Sequence, residues 1–306
     1  MTEESMIDKT RLEQEYRPWA RDASDMDLGK TMARWARRSA DFLGRVDILR
    51  NIAYGPLPDQ RLDLLPPARP GAPVQIFIHG GYWQSLDKDD YAFALEPLVS
   101  AGAMVVSVNY TLCPAVTLDA LVDQVRHACA WVWHNARDHG GDPARLHVTG
   151  HSAGGHLAAM MAATDWAAFQ PGLPPEMIKS AVPVSGLFDL EPLRFCSVNA
   201  AVQMDRATAA RNSPRFMAPA ARMPISIVAG ADETGEARRQ SRDLATAWQD
   251  GAGRVAYIET PGHHHFSVVE AMTEPGNLLT AALLRHLGLP GCTPVAPSEG
   301  FFVAPR

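Results

Sequence analysis

Cysteine is scarce in this chain. Its 306 residues hold four, Cys113, Cys129, Cys196 and Cys292, with neither a C-x-x-C pair nor the density of a disulfide scaffold, which excludes a stapled secreted mini-domain and fits a reducing compartment. Long apolar runs are also missing. Nowhere does the sequence approach the roughly 18 uninterrupted apolar residues of a membrane span, and no apolar stretch follows the acidic start as in a secretory signal. Nor is there an excess of positive charge: 28 Lys and Arg stand against 34 Asp and Glu, a net −6, which argues against a nucleic-acid or anionic-membrane partner. The expectation is a cytoplasmic protein that handles a small molecule, with oligomer formation left open.

What is present is ordinary globular material, 46% apolar and 20% charged, so disordered and coiled-coil classes are excluded. Residues 1–45 have a helical period that places Met32, Trp35, Ala36 and Leu43 on one face and Arg34, Arg37 and Arg38 on the other, and read as a helical extension. From residue 46 the texture changes. Two short strands, 46–54 and 60–65, precede a regular alternation of apolar runs and amphipathic stretches. Strands are expected at 74–78, 103–108, 145–149, 181–185, 225–229 and 254–258. Helices are expected at 117–139, 153–164, 236–250 and 267–287, the last broken near Pro275-Gly276. Such alternation is the mark of a three-layer α/β fold, a mostly parallel sheet with helices on both faces. Residues 186–223 interrupt the rhythm and are expected to form a partly helical excursion within the main domain, 46–289. The proline-containing tail, 290–306, is expected to be irregular.

Gly150-His151-Ser152-Ala153-Gly154 stands between a predicted strand and a helix of small residues, the context a strained nucleophilic serine needs. At the end of strand 74–78 comes His79-Gly80-Gly81-Tyr82-Trp83, where bare glycines let the backbone turn its N–H groups outward. The N–H groups of Gly81, Tyr82 and Ala153 are the expected donors to a developing oxyanion. A serine hydroxyl needs a base, and the base needs a carboxylate to orient it. The base is sought in His263-His264-His265, after the last strand. Consecutive side chains diverge and no second ligand cluster accompanies these histidines, so a metal site is not expected. The acid is sought in Asp232-Glu233, after strand 225–229.

Taken together, these residues resemble the kynurenine formamidase (arylformamidase) branch of the α/β-hydrolases, the serine-dependent type with an HGG-x-W motif. The resemblance runs from about Leu12 to Leu287. It rests on the two motifs above, on Leu118-Asp119 through Asp123-Gln124-Val125, on His156-Leu157-Ala158-Ala159-Met160, and on Ser185-Gly186-Leu187-Phe188-Asp189. Arg211-Asn212-Ser213-Pro214 and Arg239-Gln240-Ser241 are further landmarks. The resemblance implies Ser152 as nucleophile and His265, the histidine before a phenylalanine, as base. It brings the acid column to Glu233, with Asp232 one residue away as the runner-up. Gly155 replaces an alanine frequent in relatives. The implied activity is cleavage of an aryl formamide such as N-formylkynurenine to formate and an aromatic amine, without a cofactor, with Tyr82, Trp83 and Phe188 as an apolar wall for the arene. The alternative is a carboxylesterase, amidase or carbamate hydrolase acting on another small aryl substrate.

Overall fold

The computed structural model describes residues 8–17 and 28–290. In α1 (Lys9–Glu15) the first turn is capped by the Asp8 carboxylate, which accepts from the Arg11 N–H at 3.0 Å. The next helix, α2 (Leu28–Leu43), precedes an antiparallel pair, β1 (Leu49–Ala53) and β2 (Arg61–Leu65). Then come β3 (Ala72–Ile78), a 3₁₀ segment over Lys88–Leu95, α3 (Glu96–Ser100), β4 (Met104–Val108) and α4 (Leu118–Asn135). The middle of the chain holds β5 (Gly141–His151), α5 (Ala153–Ala162), α6 (Trp166–Phe169) and β6 (Ile178–Val184). The excursion contributes two short helices, α7 (Asn199–Val202) and α8 (Arg206–Arg211), with 3₁₀ turns on either side. The chain returns through β7 (Pro224–Gly230), α9 (Gly235–Trp248), β8 (Arg254–Thr260), α10 (Ser267–Glu270) and α11 (Leu278–Leu287).

The eight strands form one sheet in the order β1-β2-β4-β3-β5-β6-β7-β8. From β4 through β8 all neighbours are parallel, and β2 joins β4 antiparallel. Every residue of β3 and β4 is buried, as parallel strands covered on both faces must be. Alternation along β3 divides two cores: Val74, Ile76 and Ile78 point to the side of α4, α5 and α9, whereas Phe77 joins Trp35, Phe93, Leu98 and Leu283 beneath α2, α3 and α11. The helix α4 begins where the Thr117 hydroxyl accepts from the Ala120 N–H at 3.2 Å. After a 3₁₀ turn over residues 136–139 it stops at Gly140, in the left-handed region at φ 86°, the position glycine tolerates best. This is the α/β-hydrolase three-layer arrangement expected from the sequence.

The stripe on α2 differs from expectation. Its buried residues are Thr31, Trp35, Ser39 and Phe42; Ala36 is exposed, and Met32 and Leu43 are half-buried. Trp35 keeps its expected place, its indole N–H donating to Glu270 at 2.7 Å, and Met32 and Leu43 still pack against the same core, while Thr31 and Ser39 join the stripe and Ala36 falls outside it. Arg38 does not face open solvent either, since its guanidinium lies 4.3 Å from the Phe93 ring centroid and donates to Thr273 at 2.6 Å. The expectations for residues 1–7, 18–27 and 291–306 fall outside the described residues.

Candidate active site

Ser152 stands alone between β5 and α5 with φ 57° and ψ −119°, a backbone conformation that a residue with a side chain adopts only under constraint. Its N–H donates to Val184 on the neighbouring strand at 2.8 Å, and its carbonyl accepts the first turn of α5 from His156 at 3.0 Å. The turn is tight enough to bring the start of α5 onto the backbone of β3. A Cβ on Gly154 would stand 2.0 Å from the Ile78 carbonyl oxygen, and one on Gly155 would stand 2.6 Å from that of Val184. Close packing therefore accounts for Gly155 in this chain.

The His265 Nε2 lies 3.0 Å from Ser152 Oγ, and its Nδ1 lies 2.9 Å from Glu233 Oε2. The other carboxylate oxygen of Glu233 accepts from the Gly230 N–H at 2.7 Å and from the Ser185 hydroxyl. Burial pushes the Glu233 carboxyl up, but the His265 hydrogen bond and charge, helped by Ser185 and Gly230, outweigh it and hold the group below the usual glutamate value. Asp232 is exposed on the outside of the same turn. The three histidines diverge as expected. His263 reaches toward Glu274 at 3.7 Å, while His264 Nδ1 accepts from the Phe266 N–H at 3.2 Å and shapes the turn that presents His265.

The loop after β3 runs against the serine, since a Cβ on Gly80 would stand 3.2 Å from Ser152 Cβ and 2.7 Å from the His151 carbonyl oxygen. Gly81, Tyr82 and Trp83 have φ of 111°, 50° and 59°. The Gly81 carbonyl faces Ser85, accepting its N–H at 3.0 Å and its hydroxyl at 2.9 Å. In a planar trans peptide the Tyr82 N–H therefore points the opposite way, away from Ser85.

The apolar wall is corrected. Trp83 and Phe188 have no exposed surface at all and belong to the core. The Trp83 indole donates to His156 Nδ1 at 3.2 Å, and the ring of Phe188 fills the space where a side chain on Gly186 would lie. Tyr82 is buried too, its hydroxyl donating to the Tyr16 carbonyl. Aromatic residues in a motif beside the site do not by themselves distinguish a wall from a core.

Several landmarks of the resemblance, given no role by the sequence, support the site, as does Tyr16, which the sequence did not point to. Ser185, at φ 50°, stands at the end of β6 and supplies a donor to Glu233. His156 bridges the loop of Trp83 to the excursion, its Nε2 donating to the Asn212 carbonyl at 2.8 Å. Gln240 ties three segments together, accepting from the Phe188 and Asp189 N–H groups at 2.6 and 3.0 Å and donating to the Tyr16 hydroxyl at 2.7 Å. Tyr16 brings α1 to the same place through Glu236. Their stretches mark the family, but their roles do not show in the sequence, because their partners lie tens to hundreds of residues away. Among the described residues no cluster of three or more His, Cys, Asp and Glu side chains is arranged to hold a metal ion, and no helix is long and apolar enough to cross a membrane.

Known proteins resemble this chain in sequence and in fold. Residues 62–247, more than half of the chain, match the BD-FAE family. The kynurenine formamidase of Danio rerio is 33% identical over 288 residues, which cover 86% of this chain and 96% of that protein. That of Salmo salar is 32% identical over 92% of this chain and 97% of its own. Esterase LipQ of Mycobacterium tuberculosis is 34% identical over 78% of this chain and 62% of its own. Among solved structures, a crystal structure from a Silicibacter species, provisionally called a thioesterase, superposes with a TM-score of 0.75 at 29% identity, covering 86% of this chain and 96% of its own. Esterase B of Lactobacillus rhamnosis shares the fold, with a TM-score of 0.65 at 21% identity over 85% and 94% of the two chains. With a matching family over most of its sheet and relatives that align nearly end to end, the chain belongs to the BD-FAE family of α/β-hydrolases and is a hydrolase homologous to the kynurenine formamidases.

Proposed function

We propose that the protein is a serine hydrolase that cleaves an aryl formamide of the N-formylkynurenine type to formate and an aromatic amine. The observation that carries this reading is the continuous chain Ser152 Oγ, His265, Glu233, with contacts of 3.0 and 2.9 Å. The substrate class is carried by the kynurenine formamidases that align over nearly all of the sequence. Ser152 Oγ attacks the formyl carbon as His265 Nε2 takes its proton. The carbonyl electrons move onto oxygen, which the N–H groups of Gly81, Tyr82 and Ala153 receive, the last at the N-terminus of α5. Collapse breaks the C–N bond, the amine leaves with the proton from His265, and a formyl ester remains on Ser152. Water, deprotonated by His265, then releases formate and restores the serine. Glu233 holds the Nδ1–H and stabilises the imidazolium in both halves.

A reducing, cytoplasmic setting suits the free cysteines Cys113, Cys129 and Cys196. Burial pushes their thiols up, to about 11 for Cys113 and about 12 for the other two, so they stay protonated.

Ser152→Ala is expected to lower kcat on the order of a million-fold while leaving the fold intact. A formyl group is the smallest acyl group, so an acyl site closed around it meets one added methyl as a wall. The kcat/KM for N-formylkynurenine is therefore expected to exceed that for the acetyl analogue by at least about tenfold. Turnover retained in the alanine variant removes the serine mechanism. Faster hydrolysis of acetyl anilides, carbamates or aryl esters than of the formamide replaces the formamidase reading with a general esterase or amidase.

A further inference from the structure

Beneath the nucleophile lies a buried hydrogen-bond chain in which no proton is transferred. The Tyr91 hydroxyl lies 3.1 Å from His151 Nδ1, and His151 Nε2 lies 2.7 Å from the carbonyl oxygen of His265. The Gly80 N–H faces the same Tyr91 hydroxyl, and a Cβ on Gly80 would stand 2.7 Å from it. Tyr91 and His151 are 1% and 2% exposed, so each polar atom must find its partner inside the protein.

The directions are settled by chemistry. A carbonyl can only accept, so His151 Nε2 carries the proton; Nδ1 is then an acceptor, and Tyr91 is its donor. A protonated His151 would leave the Tyr91 O–H facing an N–H. Burial, with the neighbouring His265, pushes His151 well below the usual histidine value and keeps it neutral.

The place where this chain ends also carries weight. His265 sits on the turn between β8 and α10. The carbonyls on either side of it, those of His264 and Phe266, accept from the backbone N–H groups of Val268 and Val269 at 3.0 and 3.1 Å. The His265 carbonyl takes the His151 imidazole instead. The two imidazole rings stand 4.6 Å apart. Tyr91 is itself fixed by Trp35, edge-on at 5.1 Å, and by Phe77 at 5.6 Å. One chain thus joins the loop that carries the oxyanion donors to the turn that carries the base, passing under the serine.

We propose that His151 and Tyr91 are positioning residues, which hold the His265 backbone at a fixed height over Ser152 and at a fixed distance from the loop of Gly80. The inference rests on the serine mechanism proposed above and is independent of the formamide substrate. A glutamine at 151 places an N–H where Nε2 stands and an oxygen that can accept from Tyr91; a phenylalanine keeps the ring and loses both. The test is steady-state hydrolysis of p-nitrophenyl acetate and N-formylkynurenine, the rate of Ser152 labelling by a fluorophosphonate, and thermal unfolding, all on the full chain. His151→Phe and Tyr91→Phe are expected to lower kcat and the labelling rate about ten- to a hundredfold, the scale of a misplaced reacting group, with KM within about twofold. His151→Gln is expected to recover to within about threefold of the parent, and the double variant Tyr91→Phe with His151→Phe to be no worse than His151→Phe alone. Equal losses in the Gln and Phe variants, additive losses in the double variant, or full kcat in a folded His151→Phe protein would overturn the proposal. If His151→Phe does not fold, normal kcat in Tyr91→Phe does so. Turnover surviving in Ser152→Ala, by contrast, removes the serine mechanism and this inference together with it.

Discussion

Glu233 and Asp232 are adjacent carboxylates with opposite fates, and the turn after β7 decides between them. The Asp232 N–H donates to the His263 carbonyl at 3.0 Å, which joins the acid turn to the base turn and leaves the Asp232 side chain outside. The next side chain then points inward, where it meets His265, Ser185 and Gly230. Glutamine at 233 keeps the shape but removes the charge, and its amide can offer an N–H to Nδ1, which flips the imidazole to the wrong tautomer. Glu233→Gln is expected to lower kcat by several orders of magnitude and Asp232→Asn by far less, measured by steady-state kinetics with both proteins checked for folding. The reverse ranking would move the acid to Asp232. Ser152 was legible from its short motif between a strand and a helix, and the fixed place after the last strand narrowed the base to His263, His264 and His265. The choices of His265 and of Glu233 were legible only through family resemblance, since each depends on the facing of one turn.

At the scale of elements, the loop after β3 is the part whose conformation most needs outside support. Three successive residues, 81 to 83, lie in the left-handed region, a cost of order 1 to 3 kcal/mol for each non-glycine. Trp83 supplies much of the anchorage through His156, and His156 through Asn212, whose side chain donates to Asp119 at 2.8 Å. Trp83→Phe leaves His156 Nδ1 as a buried acceptor without its donor, so it is expected to destabilise the fold by about 1 to 3 kcal/mol. KM for an aryl substrate should change little, because the ring touches core rather than solvent. Urea unfolding and KM measured together check this; a large rise in KM with unchanged stability would return Trp83 to the substrate wall. The sheet strands were readable because burial on both faces leaves apolar runs, and α4 because its cap, stripe and glycine stop agree. The full width of the α2 stripe was not, because Ser39 and Thr31 are small enough to be buried without being apolar. The 3₁₀ segment over 88–95 was invisible for a related reason. It is held by the box of Asp87 and Asp90 and by the buried Lys88, which pairs with Asp63 at 3.2 Å, and so carries charge where a buried helix would carry leucine.

Across the whole molecule, buried neutral histidines lie on both sides of the sheet. His79 and His156 flank the loop of Gly80 to Trp83. His147 and His286 lie on the other face, bonded to the Ser180 and Ser226 hydroxyls at 2.7 and 2.8 Å. Burial lowers each of the four to about 4; the neighbouring cations Arg145 and Lys179 add to the effect at His147, and Arg285 and Arg254 at His286. In the unfolded chain these groups bind protons near the ordinary histidine value of about 6.5, whereas the folded protein binds them only near 4. Between those limits the unfolded state holds more protons, so stability rises with pH through the window and is lost on descending it. Glu233 acts in the same direction but lower, since its depressed carboxyl favours the fold only above its own titration. Tm is therefore expected to fall by about 5 °C or more between pH 7 and pH 4.5, before most carboxylates titrate. His286→Gln, which keeps a hydrogen-bonding group near Ser226 without a titrating ring, is expected to make that decline shallower. Calorimetry of both proteins across the pH range checks this, and a Tm that is flat down to pH 5, or a slope unchanged by His286→Gln, would show that the buried histidines do not set the acid stability of the fold.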